Sequence, residues 1–248
     1  MKNTKKLFPL MVDMPEDKKV VSGLLYWILA FFVWPFFGQF FSVDLDWSAA
    51  FWVDFAFHLI NFVVILAMFI PYLKESFLSV QLYTKKFFRV AGLCALVVVV
   101  LKIAPLRIFH IGVENAFDRA FLGCLVTTET DFRFFASDFV YENPLWGMLC
   151  VTLMSPVTVS CLLYACAFAP LCNKRPIFAY GVLTGALFLS RLATSFAFWP
   201  FADEMAIFLI QLPIHWIACW GYQQTDTVWT PIAIHTLSNL ILSLFVLF

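Results

Sequence analysis

The chain has 248 residues, of which 62% are hydrophobic, 19% aromatic and only 13% charged, with 31 phenylalanines. So much apolar side chain exceeds what one soluble core of this size can hide, which excludes an ordinary soluble domain and implies an integral membrane protein. The 16 basic and 16 acidic residues cancel, so no global field points to nucleic acid, and information lies in where each sign sits.

A polar arm, Met1 to Lys19, carries Asp13, Glu16 and Asp17 among its lysines. The apolar run after it lacks a small-residue cleavage signal, so the sequence predicts a retained first span, about Val20 to Phe41, kinked at Pro35. A second span, about Trp47 to Leu73, places Asp54, His58 and Asn61 on one helical stripe, which must face protein. The segment Lys74 to Arg89 mixes Lys74, Lys85, Lys86 and Arg89 with Phe77, Leu78, Leu82, Tyr83, Phe87 and Phe88, the pattern of an amphipathic interfacial connection. A third span runs from about Phe88 to Leu106, with Lys102 close enough to its end to snorkel toward headgroups.

The long connection His110 to Pro144 mixes charges with many aromatics, which suits interfacial helices or a partly buried cap. The fourth span, about Leu145 to Leu171, is expected to break at Pro156. The fifth, about Ile177 to Trp199, spaces Gly181 and Gly185 for close helix approach and contains Arg191, which needs an acceptor; Asp54 is the carboxylate set deep in another span. The sixth, about Met205 to Tyr222, bends at Pro213 and carries Gln211 and His215. The seventh starts at about Val228 and runs to the C-terminus. Most of the seven cysteines lie inside these runs (Cys94, Cys150, Cys161, Cys166, Cys219) and read as small apolar fillers. No Cys/His metal spacing occurs, so neither a metal nor another cofactor is expected. With the N-terminus in the cytoplasm, 11 of the 16 basic residues fall inside, and the seventh span leaves the C-terminus outside.

The stretch Gly221 to Asn239 is the organising feature. A polar turn, Gln223-Gln224-Thr225-Asp226-Thr227, leads into an apolar run with His235 and, four residues on, Asn239, so both side chains project from one helical face. Polar groups in hydrocarbon cost several kcal/mol unless partnered, so that face looks into the protein. On residue chemistry alone the pair is either a hydrogen-bonded glue between helices or part of a site.

Three segments, read together, resemble the CPBP family of intramembrane proteases, also called CAAX-protease and bacteriocin-processing or Abi proteins. Tyr222 to Asn239, with Trp229, Pro231 and His235-Thr-Leu-Ser-Asn239, is similar to the family's HxxxN motif. Phe196-Ala-Phe-Trp-Pro200 is similar to its FxxxH motif, with Pro200 in the histidine's place. Ser155 to Ala165 is similar to its first motif, in which a Glu-Glu pair is followed by arginine and glycine; here those positions hold Val159, Ser160, Tyr164 and Ala165. The likeness covers about 105 residues, from Pro144 onward. It implies an all-α polytopic bundle of about seven spans, with N-terminal helices and an interfacial loop over 1–143 and a four-helix CPBP-like core over 144–248.

In the family, as the resemblance implies, a glutamate and histidines activate water for peptide cleavage within the membrane, and the HxxxN asparagine helps hold the oxyanion. A general base must accept a proton, and Val159 and Pro200 can accept none; Ser160 is not an acid, and Tyr164 lacks an arginine's permanent charge. His235 and Asn239 remain. The expectation is therefore a pseudoprotease in a bacterial plasma membrane that contacts lipid and binds a membrane peptide or protein partner, in bacteriocin immunity or cell-envelope processing. Two alternatives stay open. One is an active, diverged intramembrane endopeptidase in which Asp54, His58 or His215 rebuilds an acid/base pair beside His235, or Ser160 and His235 form a nucleophilic dyad. The other is a small transporter or receptor that uses the Asp54/His58/Asn61 stripe as its polar path.

Overall fold

The structure is a computed structural model that describes residues 15–29, 47–108, 144–197 and 201–247. These residues are helical almost throughout, with no strand among them. In chain order we label α1 Glu16–Ile28, α2 Trp47–Leu82, α3 Thr84–Ile108, α4 over 144–172, α5 Pro176–Ala197, α6 Phe201–Thr225 and α7 Trp229–Leu247. The expected kink at Pro35 and the connection over 110–143 lie outside the described residues. Two of these helices contain stretches long and apolar enough to cross a membrane, Phe55–Leu82 and Leu145–Cys172, and a shorter apolar stretch spans Pro176–Leu192.

Contacts along α7 fix how the helices run. Trp229 Nε1 donates to Leu73 O of α2 at 2.9 Å, while Leu242, near the other end of α7, packs with Phe55; α2 is therefore antiparallel to α7. On α3, Ile234 packs with Cys94 and Val98 and Asn239 meets Lys102, so α3 runs parallel to α7 and opposite to α2. Residues 15–19, 74–89, 172–176 and 225–229 consequently gather at one end of the bundle. There α6 stops at Asp226, whose φ of 50° is the left-handed conformation that ends helices and that Asp tolerates better than most residues. Thr227 then opens α7, its hydroxyl accepting from Trp229 N at 3.3 Å, and is latched to α2: Thr227 Oγ1 donates to Ser76 O at 3.1 Å, and Ser76 Oγ, 2.7 Å from Thr227 Oγ1, accepts from Val228 N at 3.2 Å.

Helix α4 is the centre. In its most apolar window 83% of residues are buried, against 28% for α2, and every residue from Ser160 to Phe168 is buried. It does not break at Pro156. The helix widens into π-helical turns over Cys150–Met154 and Ser160–Phe168, with an α-helical turn, Ser155–Val159, between them. Proline removes one i→i−4 hydrogen bond, and a widened turn absorbs that defect without ending the helix. Helices of 47–108 share their core with those of 144–247: Ile65, Phe69 and Leu73 of α2 cluster with Val157, Leu162, Leu183 and Ala218.

Three further expectations are corrected. The segment 74–89 is not a connection separate from the helices: α2 runs for 36 residues to Leu82, and α3 begins after Tyr83 alone. The small-residue spacing in α5 is not a close crossing, since a Cβ on Gly181 or Gly185 would meet nothing within 4 Å. Close approach occurs at Gly23 of α1, where a Cβ would collide with Cys166, and at Gly221 of α6, where it would sit 2.8 Å from Ile234 Cδ1. Lys102 does not reach toward an interface; it is 2% exposed. Its small-residue face (Ala91, Cys94, Ala95, Val98) is buried, and the opposite face, Leu93, Leu96, Val97 and Val100, is exposed. Helix α2 likewise exposes Leu59, Ile60, Val63 and Val64. Such continuous apolar surface is far from the scattered hydrophobics of a water-facing protein.

Candidate functional site

Tyr164 is the hub of the buried polar layer. It projects from the π-helical part of α4, where the wider turn carries side chains at an unusual angular step. Its hydroxyl lies 2.6 Å from His215 Nδ1 on α6 and 2.9 Å from His235 Nε2 on α7. The three rings lie close together: Tyr164 stacks on His235 at 5.9 Å and on His215 at 6.2 Å, and the imidazole centroids are 5.3 Å apart. Tyr164 and His235 are fully buried, and His215 is 1% exposed.

A phenol has one hydrogen, so Tyr164 donates to one imidazole and accepts from the other. Were it to donate to His235 Nε2, that ring would carry its proton on Nδ1, which has no hydrogen-bond partner. An orphaned N–H in an apolar interior is less tolerable than an under-used acceptor. The pattern therefore assigns the His235 proton to Nε2, donating to Tyr164, while Tyr164 donates to Nδ1 of His215. His235 keeps a bare Nδ1 lone pair and no acid behind it.

One helical turn along α7, Asn239 is held from both sides. Its Nδ2 donates to Val151 O of α4 at 3.0 Å, and its Oδ1 accepts from Lys102 Nζ of α3 at 2.6 Å. Asn239 is fully buried, and its amide divides its donor and acceptor between a backbone carbonyl and the side-chain nitrogen of Lys102, as its chemistry requires. The layer therefore ties α3, α4, α6 and α7 together. Lys102 was missed as a member by the sequence reading. Its signal was the row Cys94, Val98, Lys102 at i, i+4, i+8, on the face that also carries Ala91 and Ala95, because small residues mark the side that packs on protein.

The remaining sequence candidates are placed as follows. Val159 and Ser160 are fully buried on α4, and Ser160 Oγ has no hydrogen-bond partner; the Ser160–His235 dyad is not formed. Phe196 lies in α5 with its side chain outside the described set, and Pro200 lies outside the described residues. On the α2 stripe, Asp54's side chain is also outside that set, His58 is 6% exposed and sets its ring edge-on to Phe57, and Asn61 donates to Phe57 O at 3.0 Å while accepting from Tyr26 of α1 at 3.2 Å. Arg191 donates to Gln211 Oε1 at 2.7 Å, joining α5 to α6. Asn61 thus joins α2 to α1 and Arg191 joins α5 to α6, while His215, His235 and Tyr164 form one cluster. Among the described residues no group of three His, Cys, Asp or Glu side chains is arranged to hold a metal ion. Compared with protein-family models, curated proteins and solved structures, the chain matches none.

Proposed function

We propose that this is a polytopic membrane protein of about seven spans, built like a CPBP-type intramembrane protease but without catalysis, which binds a membrane peptide or a partner protein. The supporting observation is Tyr164. At the position where the resemblance implies arginine, a neutral phenol closes a hydrogen-bonded bridge between His215 and His235. Peptide hydrolysis needs a group that deprotonates water and donors that hold the developing oxyanion. In this layer the two imidazoles are occupied with Tyr164, His235 Nδ1 faces no carboxylate, and the Asn239 amide is engaged by Val151 and Lys102. A hydrolase would have to break this network before it could begin. The membrane reading is supported by the apolar lengths of α2 and α4 and by the exposed leucine and valine faces of α2 and α3, which suit hydrocarbon and not water. We assign the cytoplasmic side to the end that gathers residues 15–19, 74–89 and 172–176, by its excess of lysine and arginine. A role in bacteriocin immunity or envelope processing is what the resemblance adds.

The test is purified full-length protein in proteoliposomes, incubated with a panel of membrane-anchored peptides. No cleavage is expected, and His235→Ala is expected to lower stability only. Cleavage that disappears in His235→Ala would replace this reading with that of a diverged endopeptidase.

A further inference from the structure

The end of the bundle where α2 meets α3 carries an unusual surface. Lys85, Lys86 and Arg89 occupy the first turns of α3, and all three are exposed. Lys85 and Arg89 stand one turn apart on the same face, with Lys86 beside them. They are bracketed by Leu82, Tyr83 and Phe88, which are 77%, 63% and 66% exposed. Lys74 of α2, Lys18 and Lys19 of α1, and Lys174 and Arg175 before α5 lie at the same end, against three exposed acids among the described side chains, Asp17, Glu75 and Asp226. A water-facing turn gains nothing from three large bare apolar side chains, and a hydrocarbon-facing one cannot hold three cations. Both are satisfied at headgroup depth, where apolar bodies enter the acyl boundary and cations meet phosphate.

We infer that the α2–α3 corner, centred on Lys85, Lys86 and Arg89, is a docking surface for the headgroups of anionic phospholipids. Charge complementarity and the flanking aromatics choose this occupant: a soluble acidic partner would leave Leu82, Tyr83 and Phe88 uncovered, and a zwitterionic lipid would leave the net positive charge unmatched. Helix α2 supports the depth. Its 36 residues span about 54 Å at ~1.5 Å per residue, longer than ~30 Å of hydrocarbon, and the exposed Lys74 and Glu75 favour its last turns as the part at an interface. The inference rests on the membrane reading but not on the loss of catalysis.

The test uses the full-length protein in phosphatidylcholine vesicles containing spin-labelled phosphatidylcholine or phosphatidylglycerol, with the motionally restricted boundary lipid measured for each. Phosphatidylglycerol is expected to be favoured roughly fivefold or more, the factor set by one engaged basic residue, and the preference is expected to fall as salt screens it. Lys85→Gln/Lys86→Gln/Arg89→Gln should bring the two lipids near parity, Lys86→Glu alone should lower the preference, and Lys174→Gln/Arg175→Gln should leave most of it. Equal association with the unaltered protein, or a preference that survives the triple substitution, overturns the headgroup site while leaving the membrane reading intact. No restricted lipid of either kind, with protein released by alkaline carbonate, overturns both.

Discussion

Helices α2 and α4 are alike in apolar length and opposite in surroundings. The most apolar stretch of α4 is buried over 83% of its residues and that of α2 over 28%. Composition does not separate them; their polar residues do. Helix α2 keeps His58 and Asn61 on one stripe and leaves Leu59, Ile60, Val63 and Val64 bare on the other side. Helix α4 has Ser155, Thr158, Ser160 and Tyr164 buried among its neighbours, the distribution of a helix surrounded by protein. The lesson is that an all-round apolar helix is only potentially central, and buried polar groups spread around it show that protein surrounds it.

The largest effect is expected at the lysine that α3 brings to the central layer. Replacing Asn239 by Leu removes the acceptor 2.6 Å from Lys102 Nζ and the donor to Val151 O, so the buried Lys102 nitrogen and the Val151 carbonyl each lose a hydrogen bond. A loss of about 3 kcal/mol is expected, with much of it recovered in Lys102→Met/Asn239→Leu, read by unfolding in mild detergent. A double variant no better than the single one would mean that the two side chains are not coupled.

Next in size is Tyr164→Phe. The ring stays and the hydroxyl goes, so His215 Nδ1 and His235 Nε2 lose a common partner at 2.6 and 2.9 Å. About 2 kcal/mol is expected. An equivalent deletion on the α2 side, Tyr26→Phe, removes a longer and partly exposed bond to Asn61 and should cost less than 1 kcal/mol. Equal effects would erase the distinction between centre and periphery.

A further pair of effects separates the glycines. Gly23→Ala forces a Cβ against Cys166 of α4 and should cost about 1–2 kcal/mol as overpacking. Gly181→Ala meets nothing within 4 Å and should stabilise by up to about 1 kcal/mol through helix propensity. Thermal melts of the two variants under one condition decide it, and a destabilising Gly181→Ala would place a neighbour against α5 there.

Much of the helical layout was legible because runs such as Val228 onward and Leu145 to Leu171 are apolar over whole helices, and length alone sets them. The inward aim of His235 and Asn239 was legible from cost, since neither can face hydrocarbon unpaired. Which polar groups meet was not. Lys102 looked like a residue near a helix end because the third span was drawn to Leu106, whereas α3 continues to Ile108 and its small-residue face turns Lys102 inward. Gln211 gives no sign in the sequence that it meets Arg191, yet its amide oxygen accepts from the guanidinium, because a neutral acceptor one helix away leaves no charge pattern to read. Gly181 and Gly185 had the spacing of a crossing without the neighbour, because spacing defines a groove and only the tertiary arrangement fills it. The continuity of α4 through Pro156 depended on π-turns that leave no sequence signature.

Tyr164 binds His215 and His235 into one structural bridge, so His235 is not poised as a base. The most direct measurement is nitrogen-15 magnetic resonance of histidine-labelled protein in lipid nanodiscs, with His235 assigned by its loss in His235→Asn. The account predicts a neutral ring with its proton on Nε2 and a bare Nδ1, and a changed Nε2 environment in Tyr164→Phe. A His235 ring protonated on Nδ1 would reveal an acceptor behind it, as in an activated histidine, and would contradict the claim.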